Sequence, residues 1–412
     1  MAKIKRSPQN KLVGTAALFA WSGFALLAAK NLDVRTALMA LAVPFVFIVV
    51  CKLIPKLFPA DMLLLTLVNF LCVLGIMVLY RISPEKGMTQ AVNYGFSIAF
   101  MVACMLIIRH MHRLRTLIWL AAAVAIVVML LPLVIGKEIN GAQAWISIVG
   151  INFQPSEIVK VVLLIVVAYF LSRRRLLTAI LYAGACLALL MLQKDLGTAL
   201  LYYIVTLAML FAATGSYALL AGGFAGGTAA GVLGYSMFSH VKRRVAIWRD
   251  PWFDYNGAGY QVVQSLIAIV NGGLTGVGLG VGNTHVIPAH ETDFIFSVIV
   301  NEFGAIFGIC VILIYVVIFL RGIAISLRCN HRFHALMALG SSLFIAFQAF
   351  VIIGGNIKMI PLTGVTLPFV SYGGSSLLSS LGIIGILQGI ESINEDHIVQ
   401  DARMATLGDE LL

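Results

Sequence analysis

Long runs of apolar residues, each long enough for a helix, alternate with short polar segments along the chain. A helix that crosses a bilayer needs about 20 mostly apolar residues, so each run predicts one membrane-spanning helix. A membrane β-barrel would instead show short segments of alternating polarity. The pattern therefore predicts an all-α polytopic membrane protein with about 12 spans. The runs lie near residues 12–29, 36–54, 62–80, 91–108, 117–135, 158–172, 177–193, 197–213, 219–239, 294–320, 335–354 and 372–393.

The composition excludes a water-soluble fold. Of the 412 residues, 61% are hydrophobic and 11% are charged, and the mean hydropathy is +1.00. Soluble domains are usually about 45–50% apolar and about 25% charged. The net charge of +11 would suggest nucleic acid in a soluble chain. In a membrane protein the first question is which side carries the positive residues, so no nucleic-acid partner is expected.

The basic residues predict the orientation of the spans. We interpret the first run as an uncleaved span, and both termini are predicted to be cytoplasmic in the cell membrane. Sixteen of the 28 basic residues then face the cytoplasm: Lys3, Lys5, Arg6, Lys11, Lys52, Lys56, Arg109, Arg113, Arg115, Arg173, Arg174, Arg175, Arg321, Arg328, Arg332 and Arg403. Of the other twelve, four (Lys242, Arg243, Arg244 and Arg249) lie together in one outer loop.

That loop, near 240–293, and a second near 136–157 are the longest non-apolar segments, and loops of this length are usually functional or disordered. Their tryptophans and apolar residues favour ordered structure. Residues 261–270 are amphipathic and are expected to lie in the membrane interface or to re-enter the membrane. The glycine-rich run 272–283 lacks the lysine and the βαβ context of a nucleotide loop, so it favours close helix packing or a turn.

Ionisable residues inside spans are functional candidates because they are costly to bury in a bilayer. Glu157 and Lys160 are three residues apart and share one helix face. They are either an ion pair that fixes helix packing or an electrostatic wall of a lipid-facing cavity. Glu302 is nine residues from Asp293 and points the opposite way, so we expect it to form a hydrogen bond between helices.

Asp293 lies where the glycine-rich loop enters a predicted helix. One hypothesis is helix capping, which aspartate favours. The other is a general base, because this carboxylate is predicted at the membrane surface near several cations. His290 is interpreted as a solvated loop residue. Metal ligation by His285, His290 and Asp293 matches no specific zinc spacing, so no metal ligand is assigned.

Five basic residues on the predicted outer face could bind phosphate: Lys242, Arg243, Arg244, Arg249 and Lys358. One hypothesis is that they anchor the protein to lipid head groups. The sharper hypothesis is a pyrophosphate site, because arginine forks match phosphate oxygens and stabilise a leaving anion.

Seven segments in this order resemble the SEDS family of membrane proteins, which includes RodA, FtsW and SpoVE. The segments are NGAQAW (140–145), FQPSEIVK (153–160), QKDLGTA (193–199), DPW (250–252), GYQVVQS (259–265), HETDF (290–294) and PLTGVTLPFVSYGGSS (361–376). Two positions differ from the common pattern of the family. Gln143 and Ala144 replace a basic residue before the tryptophan, and Lys194 stands where proline is common.

The resemblance implies a division of the chain into three parts. Residues 62–395 correspond to the ten-helix core of the family, residues 1–61 to an added N-terminal pair of helices, and residues 396–412 to a cytoplasmic tail. It implies Asp293 as the essential loop aspartate and Glu157 with Lys160 as the ion pair beside the central cavity. Further motif residues are Trp145, Gln154, Ser156, Gln261, Ser371 and Tyr372.

The implied activity is that of a peptidoglycan glycosyltransferase that polymerises lipid II on the outer membrane face. Lipid II and a glycan linked to undecaprenyl pyrophosphate would be the substrates. A class B penicillin-binding protein would be the transpeptidase partner, membrane lipids would surround the spans, and a divalent cation (Mg or Mn) could assist. Two alternatives remain open: a flippase that transports lipid II, and a non-catalytic scaffold of the elongation or division machinery.

Overall fold

The computed structural model describes residues 2–111, 115–139, 141–148 and 151–410. The predicted cytoplasmic Arg113 and the motif residue Asn140 lie outside the described residues. The described part contains fourteen α-helices: α1 (Ala2–Asn31), α2 (Val34–Leu57), α3 (Met62–Ile82), α4 (Pro84–Arg109), α5 (Ile118–Ile135), α6 (Pro155–Ser172), α7 (Leu176–Leu192), α8 (Leu196–Thr214), α9 (Tyr217–Met237), α10 (Ser239–Arg249), α11 (Tyr260–Gly272), α12 (Ile295–Leu327), α13 (Arg332–Asn356) and α14 (Gly374–Glu410).

Twelve of these helices correspond to the twelve predicted spans. Eleven of them are long and apolar enough to cross a membrane, and α7 is a shorter apolar helix of 17 residues. The prediction of a helical polytopic membrane protein is confirmed. The other two helices, α10 and α11, divide the long loop that precedes α12, and α11 coincides with the predicted amphipathic segment.

A small antiparallel sheet was not anticipated from the sequence. Its strands are β1 (Lys137–Ile139), β2 (Ala142–Ile148) and β3 (Ile151–Phe153), and β2 lies in the middle. The N–H of Gln143 donates to the carbonyl of Gln193 (2.9 Å), so β2 is held against the C-terminal end of α7. The sheet ends just before α6 and therefore places Gln154 next to the turn that begins α8.

Hydrogen bonds gather the loops onto two opposite faces of the helix bundle. The loop face is defined here by residues 136–139, 141–148, 151–154, 193–195, 238–294 and 357–373. On this face Gln154 contacts Asp195 and Arg244 contacts Thr363. On the other face, ion pairs join Arg321 to Asp61 (2.5 Å) and three further pairs close the helix ends: Arg109–Asp396, Arg328–Glu391 and Arg328–Glu395. The alternating direction of the predicted spans divides the loops between the same two faces.

Helices α3, α6, α13 and α14 form the buried centre of the bundle, whereas α9 is exposed along nearly all its length. Helix α14 packs along α4, and α13 packs against α6, α8 and α12. The tail residues 396–410 continue α14 as helix. The central helices bring the ends of α6, α8, α12 and α13 together beneath the loop face.

Helix α12 is broken at Gly304, whose backbone (φ 89°, ψ 167°) is not helical. The carbonyls of Asn301 and Glu302, which lose helical donors there, accept hydrogen bonds from Val277 and Gly278 of the glycine-rich run (both 3.0 Å). Backbone groups inside a membrane protein must be satisfied by protein partners. The glycine-rich run therefore fills the break, and the prediction of close packing for residues 272–283 is confirmed.

Candidate functional site

The turn that carries Asp293 is held by its backbone. The N–H of Asp293 donates to the carbonyl of Ala289 (3.1 Å), and the side-chain amide of Asn356 donates to the carbonyl of Asp293 (2.7 Å). Asn356 in turn accepts from the hydroxyl of Ser297 (3.0 Å), and Ser297 shares a hydrogen bond with Ser265 of α11 (2.6 Å). Three helices thus fix this turn.

The segment 357–373 also forms hydrogen bonds to this turn. The hydroxyl of Ser371 donates to the carbonyl of Thr292 (2.6 Å) and accepts from the N–H of Leu367 (2.9 Å). The N–H of Tyr372 donates to the carbonyl of Glu291 (2.9 Å). Two residues singled out from the sequence, Ser371 and Tyr372, therefore act on the backbone that carries Asp293.

The side chain of Asp293 is half-buried and does not cap a helix. Helix α12 begins after Phe294 without a side-chain cap hydrogen bond, so the capping hypothesis is wrong. Burial raises the pKa of Asp293 above its ordinary value, and a hydrogen bond from Thr292 and the charge of Arg244 partly oppose that rise. A carboxyl group with a raised pKa is a stronger proton acceptor once it is ionised.

Arg244 of α10 is the predicted phosphate-binding cation that lies beside Asp293. Its guanidinium donates to the carbonyl of Thr363 (2.7 Å). Gly364 follows with a left-handed backbone (φ 77°), and a Cβ there would lie 3.5 Å from Arg244 Nη2 and 3.8 Å from Asp293 Oδ2. Burial lowers the pKa of Arg244, while the charges of Asp293 and Asp195 raise it.

The other four predicted cations occupy different positions. The side chains of Lys242, Arg243 and Arg249 are exposed along α10. Lys358 is half-buried in a left-handed conformation (φ 61°), and its carbonyl accepts from the indole N–H of Trp248 (3.2 Å). That bond ties the end of α13 to α10. The structure thus puts one arginine at the carboxylate and the remaining cations around α10.

Sequence reasoning missed Asp195 as a member of this site. One oxygen of its carboxylate accepts from the N–H of Thr198 (3.2 Å) and so caps α8, and the other accepts from the amide of Gln154 (2.9 Å). Burial raises the pKa of Asp195, against hydrogen bonds from Thr198 and Gln154. The spacing Asp195-x-x-Thr198 at the start of a span was the available signal. Lys194 has φ 59°, which the ring of the proline common in the SEDS family could not adopt.

Glu157 and Lys160 form an ion pair in the centre of the bundle (2.7 Å). The ammonium of Lys160 also donates to Gln348 Oε1 (3.1 Å), and the hydroxyl of Ser379 donates to Glu157 Oε2 (2.5 Å). Gln348 in turn donates to the carbonyl of Thr366 (2.9 Å), in the segment 357–373. The pair is therefore linked through one amide to the loop beside Arg244.

Three further motif residues lie outside this set of contacts. Trp145 is in β2, opposite Lys137, and Gln261 is half-buried in α11. The carbonyl of Ser156 accepts from the hydroxyl of Tyr202 (2.6 Å), which joins α6 to α8. Among the described residues, no side-chain hydrogen bond joins Trp145, Gln261 or Ser156 to the Asp293 turn.

The histidines near Asp293 contact each other and the backbone. The rings of His285 and His290 meet edge to face, with centroids 5.8 Å apart, and His290 Nδ1 contacts the carbonyl of Ile287 (2.7 Å). Within the described ranges, no three His, Cys, Asp or Glu side chains are grouped to hold a metal ion. Assistance by a divalent cation stays a prediction.

Fold and site together define a multi-pass membrane protein with an acid–arginine site on one face of its helix bundle. The sequence profile of the Cell cycle protein family of FtsW, RodA and SpoVE matches residues 55–396, and the chain belongs to that family. It is 36% identical over 284 residues to the peptidoglycan glycosyltransferase RodA of Mycobacterium tuberculosis, a match covering 63% of this chain and 60% of that protein. The chain thus spans about 60% of the length of this relative.

Other relatives and solved structures agree. RodA of Mycobacterium leprae is 31% identical, with 80% of this chain and 77% of that protein covered. The RodA rod-shape-determining protein of Thermus thermophilus has a TM-score of 0.61 at 26% identity, covering 82% of this chain and 98% of that one. A chain from a peptidoglycan synthase complex that coordinates polymerization and crosslinking has a TM-score of 0.69 at 26% identity. The match covers 81% of this chain and 98% of that one.

Proposed function

We propose that this protein is a peptidoglycan glycosyltransferase that polymerises lipid II on the outer face of the cell membrane, with both termini in the cytoplasm. The observation that carries the proposal is the approach of Arg244 and Asp293 to the same point beside Gly364. A base and a phosphate-binding cation at one point suit the transfer of a sugar from a pyrophosphate. The relatives named peptidoglycan glycosyltransferase support the same assignment.

In the proposed reaction, Asp293 removes the proton from the 4-hydroxyl of one lipid-linked disaccharide. The oxygen attacks the anomeric carbon of a second, and polyprenyl pyrophosphate leaves from the opposite side, which inverts that centre. A pyrophosphate needs no proton to leave if cations neutralise its charge. One carboxylate then suffices, whereas glycoside hydrolases use two.

Arg244 is proposed to hold the leaving pyrophosphate, with Lys242, Arg243, Arg249 and Lys358 attracting its charge from around α10. A divalent cation, Mg or Mn, would add to that neutralisation of the pyrophosphate charge. The Glu157–Lys160 pair is proposed as the polar wall behind the site, because Gln348 links it to the segment 357–373.

The proposed partner is a class B penicillin-binding protein that crosslinks the glycan made here. The resemblance to a chain of a peptidoglycan synthase complex, described as coordinating polymerization and crosslinking, supports a partner of this kind. The glycan on undecaprenyl pyrophosphate would pass from the loop face to that enzyme.

The test is polymerisation of lipid II by purified protein, with the products resolved by length. A general base typically contributes about 10²–10⁴-fold to a rate, so Asp293→Asn should lose at least about 100-fold while still binding lipid II. Asp254→Asn, which changes an exposed carboxylate of the same loop, is the matched control. Normal glycan synthesis by Asp293→Asn would refute the base. Translocated but unpolymerised lipid II from the wild type would indicate a flippase, and neither product would indicate a scaffold.

A further inference from the structure

The N-terminal helices α1 and α2 lie almost entirely before the family match, which begins at residue 55. Nevertheless α1 packs on the broken part of α12. The ring of Phe19 stacks on Phe307 (centroids 5.6 Å apart) and tilts against Phe303 (6.1 Å). Phe303 and Phe307 lie on either side of Gly304, where the helix is interrupted. Helix α1 therefore covers the break from outside.

The C-terminal end of α1 reaches the glycine-rich run itself. The ammonium of Lys30 donates to the carbonyl of Gly280 (2.6 Å). This hydrogen bond restrains the glycine-rich run at Gly280. Lys30 is exposed, so it can be changed without opening a cavity.

A buried ion pair holds the same run from inside. Arg81, at the end of α3, pairs with Glu302 beside the break (2.6 Å), and their side chains are 6% and 0% exposed. This pair corrects the expectation of a simple hydrogen bond between helices for Glu302. Arg81 also donates to the hydroxyl of Thr284 (2.9 Å) and to the carbonyl of Gly282. Lys30 and Arg81 thus form hydrogen bonds to neighbouring parts of the segment 280–284.

This segment leads directly to the candidate base. After Gly282 the chain makes the short turn Thr284–Val286 and then the turn in which the carbonyl of Ala289 accepts from Asp293. At its other end the run follows α11. Ser265 of α11 shares a hydrogen bond with Ser297, and Ser297 donates to Asn356. The glycine-rich run is therefore connected to the Asp293 turn at both ends.

We propose that the N-terminal helix α1 is a positioning element for Asp293: it covers the break in α12 through Phe19 and fixes the glycine-rich run through Lys30. Neither residue touches the carboxylate, so both act through the loop. The proposal rests on the proposed function for its effect on rate, because a small misplacement of a reacting group costs much catalysis. Its effect on the loop does not depend on that function.

The experiment compares Lys30→Met and Phe19→Ala with two matched controls, Arg35→Met and Leu18→Ala, in the full-length protein in nanodiscs. Arg35 is an exposed cation of the same helix pair, and Leu18 is an exposed neighbour of Phe19. Amide hydrogen exchange is measured for peptides within 273–294 and for peptides of α4 and α14. Polymerisation of lipid II gives kcat and KM, and Lys30→Arg tests rescue by a cation.

We expect Lys30→Met and Phe19→Ala to speed exchange several-fold within 273–294 alone and to lower kcat by about threefold to tenfold with little change in KM. Lys30→Arg should restore the exchange rate and kcat, and the two controls should leave the exchange rate and kcat unchanged. Unchanged exchange in this segment would overturn the proposal, as would equally faster exchange in α4 and α14. Faster exchange with unchanged kcat would also overturn it. If the wild type makes no glycan, the proposed function fails, and the exchange data still decide whether α1 fixes the loop.

Discussion

Arg244 Nη2 and Asp293 Oδ2 approach one point beside Gly364, at 3.5 Å and 3.8 Å from where a Cβ would stand. Burial raises the pKa of the carboxyl group, and the guanidinium acts against that rise. Burial lowers the pKa of Arg244, and the charge of Asp293 partly opposes that change. The arginine thus has two proposed tasks: it keeps the base ionised, and it is available to a pyrophosphate.

Removal of the Arg244 charge should shift the pH dependence of the reaction. A base works only when ionised, so kcat/KM falls as the pH drops through the pKa of Asp293. Without the arginine that pKa rises further, and Arg244→Gln should move the acid limb of the profile to higher pH, in addition to lowering the rate. Arg243→Gln, which changes an exposed arginine of the same helix, should leave the limb in place. An unmoved limb in Arg244→Gln would show that the guanidinium does not act on the base.

A methyl group at Gly364 should strain the backbone and fill space beside both charged groups. The left-handed φ of 77° would cost an alanine about 1–2 kcal/mol, and the new carbon would lie in van der Waals contact with the guanidinium and near the carboxylate. We expect Gly364→Ala to lower the thermal midpoint and to reduce polymerisation. Gly231→Ala, at a helical position with open space around it, should be neutral or stabilising. Full activity of Gly364→Ala would mean that the space beside Gly364 is not used.

The length of the apolar runs predicted the spans well because each helix must be long and apolar to cross a bilayer. The same logic missed the sheet of 137–153, whose strands have three to seven residues. Such short strands depend on contacts such as that of Gln143 with Gln193, which no local pattern records. The break at Gly304 was hidden for the same reason, since its polar groups are satisfied by residues from the loop before the helix.

The candidate site shows a similar division. Asp293 and Arg244 could be singled out because a carboxylate near several cations can act as a base beside a phosphate site. Their proximity could not be predicted, because it depends on Thr363 and Gly364. These two residues lie far along the chain and contribute through their backbone rather than through a charge. Asp195 was overlooked because capping α8 explains one of its oxygens, whereas its contact with Gln154 exists only in the folded protein.

The Glu157–Lys160 pair allows a test of stability that separates charge from packing. Lys160→Met leaves a buried carboxylate unpaired, which typically costs about 3–5 kcal/mol. The double variant Glu157→Gln/Lys160→Met removes both charges and should recover most of the lost thermal stability. A double variant as unstable as the single one would show that the charges are not the cause. If the stable double variant also polymerises lipid II normally, the pair serves packing rather than the proposed wall.

Ser371 should matter for the reaction through the backbone of the Asp293 turn. Its hydroxyl bridges the N–H of Leu367 and the carbonyl of Thr292, so Ser371→Ala leaves two backbone groups without this partner, at about 1–3 kcal/mol. We expect a lower kcat in lipid II polymerisation and faster hydrogen exchange within residues 289–294. Ser341→Ala is the matched control, because that serine is buried in α13 and its hydroxyl has no hydrogen-bond partner among the described residues. Equal effects of the two substitutions on kcat would show that Ser371 contributes only to general packing, whereas a loss confined to Ser371→Ala would tie the segment 357–373 to the position of Asp293.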